Sequence, residues 1–153
     1  MKSPEIVVSA PGRICLFGEH SDWAGHYRRI NAEVEKGYNI IAGTNQGIYA
    51  DVKPHPSKLI LWSTTDGGNR EGPCEIPMDR SALLAEAEKG GFFSYAAGVA
   101  YQVLTHYHVR GLVINNYKTD LPIKKGLSSS AAICVLTARA FNRVYDLKLT
   151  IRG

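Results

Sequence analysis

The chain has 153 residues, 44% apolar and 21% charged, with a formal net charge of +4, a length and mix that support one soluble domain with its own core. The charge suits anionic phosphates, but it is too small and too scattered to argue for nucleic acid, with Arg28-Arg29 and Lys124-Lys125 as the only short basic clusters. Cys15, Cys74 and Cys134 are odd in number and have no paired spacing, which argues against a disulfide framework or a zinc site. With no apolar leader run and no stretch of membrane-span length, the expectation is a cytoplasmic protein without a membrane partner.

In chain order, residues 6–9 read as a β-branched strand ended by a turn at Ala10-Pro11-Gly12. Arg13-Ile14-Cys15-Leu16-Phe17 is apolar after its arginine, so a strand covered on both faces is expected, with Cys15 buried as a small hydrophobe. A loop rich in Gly, His, Asp and Trp fills 18–27. Two strands are predicted at 38–42 and 47–53, joined by Gly43-Thr44-Asn45-Gln46, then a turn at 54–57 and a strand at 58–63. Residues 66–70 read as loop by composition. Helical spacing follows at 81–89, with Asp79 or Ser81 as cap, and at 92–107, where Phe92, Tyr95, Ala96, Val99, Val103 and Tyr107 form one face. A strand at 111–116 and a loop at 118–125 lead to a last helix. Strands followed by helices indicate an α+β fold with a mixed or antiparallel sheet packed with helices.

Gly126-Leu127-Ser128-Ser129-Ser130-Ala131-Ala132 opens that last helix, whose apolar segment runs through 133–145 and includes Cys134, also expected to be buried. A helix start offers unpaired N–H groups and a positive dipole end, which suit a phosphate oxygen. Gly126 permits close backbone approach, and the serine hydroxyls add donors or a contact to a phosphate-bound Mg²⁺. A serine N-cap followed by two more serines explains the same residues. Arg13, at the head of its apolar strand, needs an anion, for which Glu19 or a phosphate would serve. Glu19, His20 and Asp22 share a glycine-bounded loop and could bind sugar hydroxyls; a polar turn with one internal salt bridge is the plainer account. The chain has no Walker A run, no Gly-x-Gly-x-x-Gly after a strand and no Gly-x-Ser-x-Gly elbow.

Ala10-Pro11-Gly12-Arg13-Ile14-Cys15-Leu16-Phe17-Gly18-Glu19-His20-Ser21-Asp22-Trp23-Ala24-Gly25 resembles the first motif of the GHMP kinases. Leu121-Pro122-Ile123-Lys124-Lys125-Gly126-Leu127-Ser128-Ser129-Ser130-Ala131-Ala132 is similar to their second, phosphate-binding motif, and residues 92–99 resemble a galactokinase helix, with Phe92 where those enzymes usually carry Trp. The resemblance implies a GHMP kinase N-terminal domain over 1–153, with a fold like a ribosomal-protein domain. It also implies an ATP- and Mg²⁺-dependent kinase for a small-molecule alcohol. By the same analogy Gly126, Leu127, Ser128, Ser129 and Ser130 hold ATP, Ser130 contacts Mg²⁺, and Arg13 stands near the reacting phosphoryl. Glu19, His20 and Asp22 would bind a monosaccharide, since Asp22 sides with galactokinases over mevalonate kinases. A mevalonate-type isoprenoid kinase and a non-catalytic sugar- or ATP-binding regulator are the alternatives. Lys124 and Lys125 stand where the family has small residues. The family also carries a C-terminal domain with a third glycine-rich motif, and galactokinases an aspartate base. Nothing after Ser130 resembles either, so the resemblance implies an N-terminal half that lacks its packing partner and is inactive alone.

Overall fold

The computed structural model describes residues 6–19, 23–65, 67–121 and 128–150. Its elements are β1 (Ile6–Phe17), α1 (Trp23–Tyr27), β2 (Ile40–His55), β3 (Lys58–Thr64), β4 (Arg70–Pro77), α2 (Arg80–Glu88), α3 (Ser94–His106), β5 (Gly111–Thr119) and α4 (Ser129–Tyr145). The strands form one sheet in the order β1-β2-β5-β3-β4. Only the β3–β5 pairing is parallel; the others are antiparallel. The architecture is the mixed α+β fold that the order of elements predicts.

Alternation along the strands explains the layering. Val8 and Ala10 in β1, Ile48, Ala50 and Val52 in β2, Leu59 and Leu61 in β3, and Leu112 and Ile114 in β5 are all buried. They share one face of the sheet, and the helices close over it: α4 packs on β1 and β2, α3 on α4, and α2 on α3. Leu83, Leu121, Leu136 and Phe141 complete that core with no exposed surface. On the opposite face the Arg70 guanidinium lies 4.9 Å from the Trp62 ring centre and Lys118 Nζ equally far from that of Tyr49. A sheet with one face packed and one bearing polar groups is the usual antiparallel arrangement. Among the described residues no helix is long and apolar enough to cross a membrane.

Local chemistry sets the helix boundaries. The Asp79 carboxylate caps α2 by accepting the Ala82 N–H at 2.9 Å and the Ser81 hydroxyl at 2.6 Å, one of the two caps expected. The Ser94 hydroxyl starts α3 by donating to the Glu86 carbonyl at 3.0 Å, tying the two helices together.

Several expectations are corrected. The turns at 10–12 and 43–46 do not break their strands: β1 and β2 each run through. Pro11 pairs with Gly47 and Arg13 with Gly43, so the two apparent turns are opposite sides of one bulge in a long antiparallel pair. The end of β1 is not covered on both faces, because Leu16 is 53% and Phe17 72% exposed. Cys15 and Cys134 are only partly buried. Arg70 begins a strand, and α1 lies inside the segment read as loop.

Candidate functional site

Leu121 is fully buried at the end of the path leading out of β5. Two bonds hold that path: Gly47 N–H donates to the Asp120 carboxylate at 2.5 Å, and Asp120 N–H donates to the Gly47 carbonyl at 3.1 Å. The Gly47 amide, and next the Lys118 ammonium 3.3 Å away, hold the Asp120 carboxyl below its ordinary pKa. Gly126 and Leu127, with Lys124 and Lys125, lie outside the described residues, as do His20 and Asp22.

Ser128 lies in the left-handed region, φ 54° and ψ 45°, as the N-cap of α4. Ser128 makes no side-chain cap bond; its carbonyl accepts the Ala132 N–H at 3.0 Å. The simple serine-cap account therefore fails for Ser128, because its hydroxyl does not occupy the first-turn amides. α4 has 17 residues and no acidic side chain in its first turn, so the positive end of its dipole is not neutralised from within.

Ser129 and Ser130 face a cavity of about 200 Å³. The end of β3 and the residues after it supply Leu61, Ser63, Thr64 and Thr65. The turn into α3 and that helix's first residues supply Phe92, Phe93 and Tyr95, and β5 supplies Ile114 and Asn116. The cavity is smaller than the roughly 300–1,000 Å³ of a whole small-molecule site. It suits a flat heterocycle, leaving attached phosphates at the helix start. Apolar and aromatic walls with a few fixed hydroxyls match that use. Sequence reasoning found the two serines here and missed the walls, which come from stretches far apart in the chain. The signal available was Asn115-Asn116, two polar residues directly after the apolar run Leu112-Val113-Ile114.

Arg13 and Glu19 meet at 3.9 Å, with side chains 49% and 53% exposed. The buried, anion-seeking arginine expected from the sequence is instead half-exposed, and neither residue lines the cavity. Beside them, the Glu19 carboxylate is the main influence pushing the Cys15 thiol above its usual pKa.

Residues 94–152 match the GHMP kinases N terminal domain, and residues 1–28 match a galactokinase galactose-binding signature. A galactokinase of Streptomyces coelicolor is 29% identical over 151 residues, covering 95% of this chain and 34% of that protein. A galactokinase of Clostridium acetobutylicum is 29% identical over 149 residues, covering 96% and 34%. The chain thus spans about a third of the length of the curated relatives it matches. The crystal structure of the Methanococcus jannaschii mevalonate kinase superposes with a TM-score of 0.70 at 21% identity, over 98% of this chain and 43% of that one. At that identity the likeness is one of fold.

Proposed function

The chain belongs to the GHMP kinase superfamily, and we propose that it is the nucleotide-binding domain of an ATP-dependent kinase acting on a small-molecule alcohol. One observation carries the reading: the cavity opens onto Ser129 and Ser130 at the first turn of α4. The adenosine part occupies the cavity. The phosphates lie at the helix start, on the amides and hydroxyls of Ser128, Ser129 and Ser130 and on Gly126 and Leu127. Mg²⁺, held against the phosphates with Ser130 as its protein contact, would neutralise charge on the transferred group. Arg13 adds positive charge on the acceptor side, where it would stabilise the transferring phosphoryl.

A monosaccharide acceptor has in its favour the galactose-binding signature over 1–28, which contains Glu19, His20 and Asp22. A mevalonate-type acceptor has the backbone likeness to a mevalonate kinase in its favour. A non-catalytic sugar- or ATP-binding regulator would use the same site without turnover. In each case the domain needs a second one. Phe17 and Ile40 are cross-strand neighbours, 72% and 56% exposed, with Leu16 and Ile41 also more than half exposed beside them. An apolar strand end of this kind calls for a covering surface, and the relatives are about three times as long as the chain.

The test is ADP titration of the 153-residue chain, followed by ATP turnover with galactose and with mevalonate. The reading expects ADP binding without turnover by the chain alone. In a longer protein carrying the domain it expects turnover with one acceptor, and galactose turnover lost in Asp22→Ala if the sugar reading holds. Absence of ADP binding would overturn the domain reading, and galactose-dependent turnover by the isolated chain would overturn its need for a partner.

A further inference from the structure

Asn116 is 1% exposed and lines the cavity. Beside it the β2–β5 register slips between Tyr49 and Ala50, and a bulge of this kind leaves ladder groups unpaired. The Asn116 carboxamide replaces the missing partners: Nδ2 donates to the Tyr49 and Lys118 carbonyls, each at 2.9 Å. Its Oδ1 accepts the Thr64 N–H at 2.8 Å, the Thr119 hydroxyl at 3.1 Å and the Ser63 hydroxyl at 3.2 Å. The Thr64 hydroxyl donates to the Asn116 carbonyl at 2.8 Å. One side chain therefore joins β2, β3 and β5 where Ser63, Thr64 and Thr119 reach the cavity wall.

A core position filled for stability alone would be served by an apolar residue, since a buried amide must recover its desolvation cost through its bonds. Here every bond but the one to Tyr49 ends on a group that lines the cavity or on the strand that leads to Asp120. We propose that Asn116 is a positioning residue for the nucleoside: it fixes the hydroxyl rim of the cavity and the exit of β5 toward the phosphate segment. This rests on the nucleotide reading above. Being fully bonded, the network holds a single arrangement, so its loss loosens the site more than it loosens the core.

ADP binding to the 153-residue chain, measured by calorimetry at a temperature where circular dichroism reports a folded protein, tests this. Asn116→Leu is expected to weaken ADP binding at least tenfold. Leu83→Ala, a core truncation that does not touch the cavity, is expected to leave it within twofold. Asn116→Asp keeps the acceptor bonds, loses the two donor bonds and falls between. Equal ADP affinity in folded Asn116→Leu and Leu83→Ala would overturn the proposal. If Asn116→Leu does not fold, Thr119→Val decides: threefold or greater weakening is expected, and unchanged affinity overturns it. A wild-type chain that fails to bind ADP removes the nucleotide reading and this inference together. A wild type that binds, with variants indifferent, removes only the inference.

Discussion

Asp120 and Gly47 exchange two hydrogen bonds across the sheet, side chain to amide and amide to carbonyl, 73 residues apart in sequence. This clasp holds the end of β5 and the path toward Leu121. Its carboxyl is more acidic folded than unfolded, chiefly through the Gly47 amide and then through Lys118. A depressed carboxyl adds stability above the unfolded value, roughly pH 3.9, and loses it as pH falls through the folded value. Asp120→Asn is therefore expected to be less stable than wild type by about 1 kcal/mol or less at pH 7, given the exposure of the group. The gap should hold from pH 7 to 5 and close below about pH 4. Urea midpoints at several pH values check this, and a gap that widens in acid contradicts it.

Gly18 lies at φ +78°, and a Cβ there would overlap the Tyr38 carbonyl oxygen. Gly18→Ala combines a left-handed strain of about 1–2 kcal/mol with an overlap on backbone that cannot swing away. We expect a clear fall in the urea midpoint, with the Arg13–Glu19 end of the β1–β2 pair displaced. An unchanged midpoint would mean that the two backbones are not in close approach.

Ser129→Ala and Ser130→Ala each remove a hydroxyl from the cavity mouth. A hydrogen bond to a charged phosphate contributes about 1.5–3 kcal/mol, so each variant is expected to bind ADP about tenfold more weakly or worse. The Ser130→Ala loss should shrink when EDTA removes Mg²⁺, whereas the Ser129→Ala loss should persist. Calorimetry in both buffers separates the two roles.

Arg13→Ala breaks an exposed pair at 3.9 Å, a contact worth between 0 and about 1 kcal/mol. Its folding stability should stay within about 0.5 kcal/mol of wild type. Turnover by a longer protein carrying the domain should nevertheless fall on the order of a hundredfold or more, as when transition-state charge loses its partner. A large stability loss with unchanged turnover would reverse that assignment.

How much was legible followed from whether the signal was local. The Asp79 cap and the serine start of α4 are read within a few residues, and both were readable. The face expected over 92–107 was right only in part, because Phe92 and Tyr95 are more than half exposed and the buried side of α3 is Ser94, Ala96, Ala97, Ala100 and Val103. Ala10-Pro11-Gly12 and Gly43-Thr44-Asn45-Gln46 carry turn residues, yet each is held straight by the other strand, and that pairing is not written in either stretch. β4 was missed because Gly72, Pro73 and charged neighbours lower its strand propensity; β3 pairs with it regardless. The cavity walls were illegible for a related reason. Thr64, Phe92 and Asn116 meet only after β3 and β5 align in parallel and the turn into α3 reaches the same cavity.

The most direct test of the account is an amide NMR titration of the 153-residue chain with ADP. ADP is expected to shift Thr64, Thr65, Asn116, Thr119, Ser129 and Ser130, with α2 and the start of β1 unmoved. No shifts at saturating ADP, or shifts confined to residues away from this cavity, would contradict it.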